Sequence, residues 1–307
     1  MNVKRYFLFP LLVVLVSLYS CQHVDKYAQI AADQGVIDRD SANAISLTAR
    51  AFGEASEKIP PDQAYFIGRS VAANILSQFK LWEEDPELTK YLNLICRAIV
   101  INTPQSGTAV NYFVAILDSD EINAFATSGG HILVTRGLIR TVQSEDALAG
   151  VIAHEIAHIQ LLHSIQSIKT SRFTKAILMA GTASAAAITG INNDELTEIL
   201  EETVGDIFHT MVNNGYSREQ EYEADNAAIC FLAAAGYNPN ALIEMLKQLN
   251  TAKGKNRGLY KTHPTPVQRI YFAEQIVKRF SDADTSSVRQ ERFESFTSNE
   301  QLRNTEL

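Results

Sequence analysis

From residue 62 onward the hydrophobic pattern is strong and changes period several times. Tyr65, Phe66, Val71, Ile75, Leu76 and Phe79 recur at helical spacing. A second helix is predicted from Pro86 to about residue 101, with Leu88, Leu92, Ile95 and Ile99 on one face. Thr103-Pro104 and Ser106-Gly107 then break the chain. Residues 110–117 are rich in β-branched and aromatic side chains and read as a strand. Residues 122–126 and 131–135 read as two more, joined through a Gly129-Gly130 turn. Together the three predict a small antiparallel sheet.

A long helix follows. Ser144 is a good N-cap, and Glu145 and Asp146 suit the positive end of a helix. Leu148, Ile152, Ile156, Ile159 and Leu162 carry its apolar positions. Residues 164–216 read as a helical insertion. Its middle, 176–191, is too short and too weakly apolar to span a membrane. The acidic run at 194–206 reads as a solvated helix face. Ser217 and Gln220 form a capping box for the next helix, which Gly236 stops. Pro239 starts another, ending near Asn250. After a loop at 251–261, Thr265, Pro266 and Gln268 cap a last helix to about Phe280. The segment 283–307 is polar and reads as a disordered tail.

The N-terminal region has a different character. Lys4 and Arg5 precede an apolar run at 6–16 that is interrupted by Pro10, and Leu18, Ser20 and Cys21 follow. This order is that of a secretory signal over residues 1–20. Leu18-Tyr19-Ser20-Cys21 resembles the lipobox of bacterial lipoproteins, in which the cysteine is acylated and begins the mature chain. An acylated Cys21 would hold the protein on a membrane surface without a spanning helix. Gln22 is not an inner-membrane retention signal, which points to the outer membrane. Residues 21–61 then read as a marginal helical extension. The net charge of −8 becomes more negative once Lys4 and Arg5 are removed, which argues against a nucleic-acid partner. Cys96 and Cys230 remain; their pairing is left open, and two separate buried thiols is the plainer reading.

The chemistry centres on His154-Glu155-Ile156-Ala157-His158. On a helix, residues four apart lie on one face, so two imidazoles can grip one zinc ion. Glu155 lies beside them, able to act as a general base in metal-assisted peptide hydrolysis. The competing reading is a surface helix with two spare histidines. The isoleucines at 152, 156 and 159 place the helix in a core instead, where histidines need partners. Catalytic zinc takes a third protein ligand. The capped helix offers Glu221 and Asp225, again four apart, with one carboxylate for the metal and the other to hold a ligand histidine. Glu219 and Glu223 compete for these roles, and spacing alone leaves the choice open. His163 and His209 read as ordinary helix-surface residues.

The pattern His-Glu-x-x-His followed by Glu-x-x-x-Asp resembles the gluzincins. The wider text resembles the HtpX/BepA-like zinc metallopeptidase family, which includes the type I CAAX prenyl endopeptidase, and in layout its soluble bacterial lipoprotein branch. Four motifs carry the likeness: Asn123-Ala124-Phe125-Ala126 with Gly129-Gly130 and Thr135-Arg136-Gly137-Leu138; the zinc helix; the segment 217–225; and Thr262-His263-Pro264 with Arg269. Ser128 departs from the family, where a proline is usual. The resemblance implies an α+β, mostly helical zincin-like domain over residues 62–282, with one Zn2+ per chain. It assigns Glu221 as the third ligand and Asp225 as the residue behind a ligand histidine. It also implies substrate pairing along Asn123, Ala124 and Phe125, by strand addition. For His263 it implies either oxyanion stabilisation or occupation of zinc's fourth position at rest. The function expected is an endopeptidase for misfolded or misassembled envelope proteins. A gated envelope chaperone is the rival from another class, and a zinc hydrolase of non-peptide bonds is a second.

Overall fold

A computed structural model describes residues 61–104, 111–166, 193–251, 258, 262–263, 266–280, 287–298 and 302. The leader, Cys21, the extension up to residue 60 and the segment 176–191 lie outside the described residues.

Helix α1 (Pro61–Gln78) is followed by α2 (Pro86–Val100), which begins where the sequence predicts. Asp85 caps α2 by accepting from the Leu88 N–H, and Pro86 takes the first turn, where its missing N–H costs nothing. The buried stripe of α2 is Leu88, Tyr91, Leu92, Ile95, Cys96 and Ile99. Strands β1 (Phe113–Leu117), β2 (Ala124–Ala126) and β3 (His131–Thr135) come next. A short helix α3 (Arg136–Thr141) leads into the long helix α4 (Glu145–Gln160), capped by Ser144.

The sheet departs from the expectation in one respect. β2 and β3 form the predicted antiparallel hairpin, with Gly130 at φ 84° in its turn. β1, however, pairs with β3 in parallel, in the order β1-β3-β2. The connection from β1 crosses to the far edge of β3 before the hairpin begins, so the strand following β1 is not its neighbour. The sheet is therefore mixed.

Helices cover both sheet faces, which is why all three strands are buried almost throughout. Val114, Ile116, Ala124, Ala126, Ile132 and Val134 join the core of α2 and α4. Ala115, Leu117, Phe125 and Leu133 face Ile67, Val71 and Ile75 of α1. Helix α1 approaches the hairpin backbone to backbone: a Cβ on Gly68 would fall 1.9 Å from the Gly129 nitrogen. Every residue of α4 is buried, so the helix runs through the centre of the fold and does not lie amphipathically on its surface.

After α5 (His163–Gln166) come α6 (Asn193–His209), with a π-turn at Thr210–Asn214, and α7 (Arg218–Ala234). The capping box of Ser217 and Gln220 is present, and Gly236 ends the helix region at φ 80°. Helices α8 (Ala241–Thr251) and α9 (Pro266–Val277) pack beside α7.

The polar tail corrects another expectation, since it contains a helix, α10 (Ser287–Thr297). Phe293 and Leu302 are buried, and Phe296 stacks on Tyr91 at 4.4 Å. Arg289 and Arg292 pair with Asp146 and Glu145 at the start of α4. A sparse apolar stripe and two neutralised arginines order a segment whose average composition is that of a solvated chain. Cys96 and Cys230 form no disulfide with each other; Cys96 is buried, which pushes its pKa up to about 12. Among the described residues no helix is long and apolar enough to cross a membrane.

Candidate metal centre

His154 and His158 stand one turn apart on the buried helix α4, and α7 lies against it. The capping box fixes where α7 begins, and so sets Glu221 in its first turn and Asp225 one turn on. The two helices, with His263 from the segment before α9, bring four donors together. One atom each from His154, His158, Glu221 and His263 lies within 4.8 Å of the others, and all four residues are buried. His154 Nε2 and His158 Nε2 are 3.0 Å apart. Glu221 reaches them at 3.6 Å and 3.5 Å. His263 Nδ1 lies 2.9 Å from Glu221 Oε1 and 3.3 Å from His154 Nε2.

A second ring of groups holds the first. Asp225 Oδ1 is 3.1 Å from His154 Nδ1, where a carboxylate would fix the ring with its Nε2 inward. Arg269 is fully buried and grips Asp225 through Nε at 2.8 Å and Nη2 at 2.7 Å. Its Nη1 lies 2.7 Å from Glu221 Oε2. Tyr216 stacks on the His158 ring at 4.1 Å.

Burial raises the cost of charge on Asp225 and Glu221, yet Arg269 outweighs it and holds both carboxyls below their usual range. Burial and the crowd of neighbouring imidazoles push His158 well below the ordinary histidine pKa, leaving a neutral ring. Burial opposes charge on His263 as well, but Glu221 and Glu155 prevail and raise its pKa. Glu155 is raised, chiefly by burial. Its Oε1 lies 3.7 Å from His263 Nε2.

The donors suit a divalent cation. Two imidazole nitrogens that face each other at 3.0 Å can share one proton at most. Glu221 Oε2 is buried in an ion pair but accepts no hydrogen bond. Nitrogen, nitrogen and carboxylate oxygen converging on one point form a set typical of a metal site.

Glu219 is exposed and Glu223 points to His163, so neither reaches this centre. Asn123, Ala124 and Phe125 lie at the sheet edge formed by β2, all buried. Asn123 Oδ1 accepts from its neighbour's backbone N–H, on Ala124, and from the Thr262 hydroxyl at 3.0 Å. The chain just before His263 is thereby tied to the edge expected to pair with substrate. The cavity beside Glu155 and His263 measures only ≈ 10 Å³, about the room of one water.

Three residues beside the centre escaped the sequence reading of roles. His163, expected on a helix surface, is buried with its Nδ1 2.9 Å from His158 Nδ1. Tyr216 carried no signal beyond its place before the capping box. Arg269 did carry one: it shares a four-residue spacing with buried Ala273 and Val277, and an arginine on such a face needs buried carboxylates. His209 is exposed, as expected.

The fold is that of a zincin-like domain with four buried donors that could hold a metal, and the chain belongs to peptidase family M48, whose model matches residues 86–277. It is 27% identical to the metalloprotease LoiP of Escherichia coli (strain K12) over 269 residues, 87% of this chain and 94% of that one. It is 28% identical to the beta-barrel assembly-enhancing protease of the same organism over 189 residues. That match covers 61% of this chain and 38% of the relative, so the chain spans less than half of that protein's length. The metalloprotease YcaL, also of Escherichia coli (strain K12), is 28% identical over 181 residues, 59% of this chain and 66% of the relative.

Proposed function

We propose that the chain is a zinc endopeptidase of the bacterial cell envelope, acting on misfolded or misassembled envelope proteins. In this reading it is secreted and held by an acylated Cys21 to the outer membrane. The convergence of His154, His158, Glu221 and His263 within 4.8 Å is the observation that carries it. His154, His158 and Glu221 would hold the metal, with Asp225 and Arg269 fixing their orientation. Zinc, when bound, would act as a Lewis acid and lower the pKa of water to about 7. Glu155 would take the proton from the attacking water and hand it to the departing amine, work suited to a carboxylate whose pKa burial has raised. The β2 edge at Asn123, Ala124 and Phe125 would align an extended substrate by backbone pairing, which favours unfolded chains of many sequences.

The test is digestion of casein by the mature chain, with and without a chelator, beside Glu155→Gln. That variant should keep zinc and lose about 10²–10⁴-fold in rate, the usual worth of a positioned general base. Activity that survives the chelator or the substitution would end the zinc mechanism with Glu155 as base, and no digestion at all would end the peptidase reading.

The closed state of the site favours a second reading, an envelope chaperone or assembly factor whose peptidase centre opens rarely. His263 occupies the place of a fourth ligand, and the cavity beside it admits no peptide. His263→Ala separates the two roles of that residue. A faster enzyme identifies His263 as a gate, and a slower one identifies it as an aid to the transition state.

A further inference from the structure

His154 and His158 are oriented by different means. His154 turns its Nδ1 to Asp225, at 3.1 Å. At His158 the corresponding place is taken by another imidazole: His163 Nδ1 lies 2.9 Å from His158 Nδ1, and His163 Nε2 lies 3.2 Å from Glu223 Oε2. We propose that His163 is the positioning residue for His158, accepting its Nδ1 proton and being oriented in turn by Glu223. The inference rests on the zinc reading above.

Proton accounting gives the relay one direction. An imidazole that offers Nε2 to a metal carries its proton on Nδ1. His158 Nδ1 therefore donates, and His163 Nδ1 must be bare to accept. The single proton of a neutral His163 then sits on Nε2, where it donates to the Glu223 carboxylate. The reverse arrangement would put a proton on His158 Nε2 and remove the lone pair the metal needs. Tyr216, stacked on the face of the His158 ring, leaves the ring's edge as the part that His163 controls.

The backbone is bent to bring His163 there. Helix α4 ends at Gln160, and Leu162 adopts φ 55°, the one non-glycine residue in the left-handed region among those described. That conformation is unfavourable for a residue with a Cβ, and such outliers persist where the surroundings over-determine them. The turn folds the chain back so that a residue five positions after His158 faces it, off the regular helical spacing. Gln220, from the turn that also delivers Glu221, donates its side-chain N–H to the His163 carbonyl at 3.3 Å. Two elements thus hold His163 at the metal ligand: the turn at Leu162, whose side chain packs on the cluster that includes Ile165 and Tyr216, and the hydrogen bond from Gln220.

The test uses the full mature chain and Zn2+ as the probe, with affinity read by competition against a chelator. His163→Leu keeps the bulk and removes the acceptor; it should lose about 10- to 100-fold in zinc affinity. His163→Asn restores an acceptor oxygen near the Nδ1 position and should recover most of that loss. Equal losses in the two variants would mean that His163 only fills space, and an unaffected His163→Leu would remove its role altogether; either overturns the proposal. Should the leucine variant fail to fold, NMR of the ring nitrogens in the zinc-loaded native chain decides. The proton of His163 belongs on Nε2, and a proton on Nδ1 overturns the relay. A native chain that takes up no zinc overturns the peptidase reading and the relay with it, whereas native uptake with an indifferent His163→Leu overturns the relay alone.

Discussion

The two ends of helix α4 both bury acidic and basic groups, and they treat them in opposite ways. At the N-terminal end, Glu145 accepts from Tyr91 at 2.7 Å, from Tyr237 at 3.2 Å and from Arg292 Nε at 2.6 Å. It also sits where the helix dipole favours negative charge. Its oxygens are used up by the polypeptide. Toward the C-terminal end, the nitrogens of His154 and His158 face each other at 3.0 Å, and Glu221 Oε2 accepts no hydrogen bond. A buried polar group with a full set of partners belongs to the fold; one left without them costs about 1–3 kcal/mol and calls for a functional explanation. Asp146 Oδ1, also at the N-terminal end, likewise accepts no hydrogen bond, but it faces the single cation of Arg289; what singles out the other end is that nitrogens and carboxylate oxygens of four residues converge within 4.8 Å.

The larger of two expected effects comes from Arg269, the cation that keeps the metal end folded on its own. It is buried and pairs with Asp225 and Glu221. Arg269→Leu would leave Asp225 and Glu221 without their guanidinium, facing only the imidazoles of His154 and His263, and the metal-free protein should lose about 3–5 kcal/mol of stability. A dication beside Glu221 replaces part of the lost positive charge, so the zinc-loaded variant should lose less. Denaturant unfolding with chelator and with excess zinc measures both. Equal losses in the two states would show that the guanidinium and the metal do not share Glu221, and that the open donors answer to something else.

The same contrast explains what could be read along the chain. Local rules are written in neighbouring residues, and they held: Ser144 and the Ser217–Gln220 box cap the helices that they predict, and the two histidines of α4 meet as their spacing requires. His163 was misplaced because its approach to His158 depends on the left-handed Leu162, and no periodicity announces such a turn. The strand order was missed because β1 looks like the first half of a hairpin, while its real partner, β3, lies beyond the next strand. Helix α10 was hidden for an energetic reason. Its arginines count as solvated charge in the sequence, and only the fold reveals the carboxylates of Glu145 and Asp146 that take them in.

The smaller effect belongs to the other end of α4. Arg292 is itself partly exposed, and Glu145, once deprived of it, keeps the hydroxyls of Tyr91 and Tyr237 and the favourable helix end. Arg292→Ala should therefore cost only about 1.5–3 kcal/mol, the range of a single hydrogen bond to a charged group whose other partners remain. The loss should be the same with chelator as with zinc, because no donor of the metal centre moves when this contact is cut. Zinc affinity should stay at the native value. A drop of tenfold or more would mean that α10, by clamping the start of α4, sets the position of His154 and His158 from about two and a half and three and a half turns away. The satisfied end would then be part of the site's geometry, and the separation between a structural and a functional end of this helix would have to be given up.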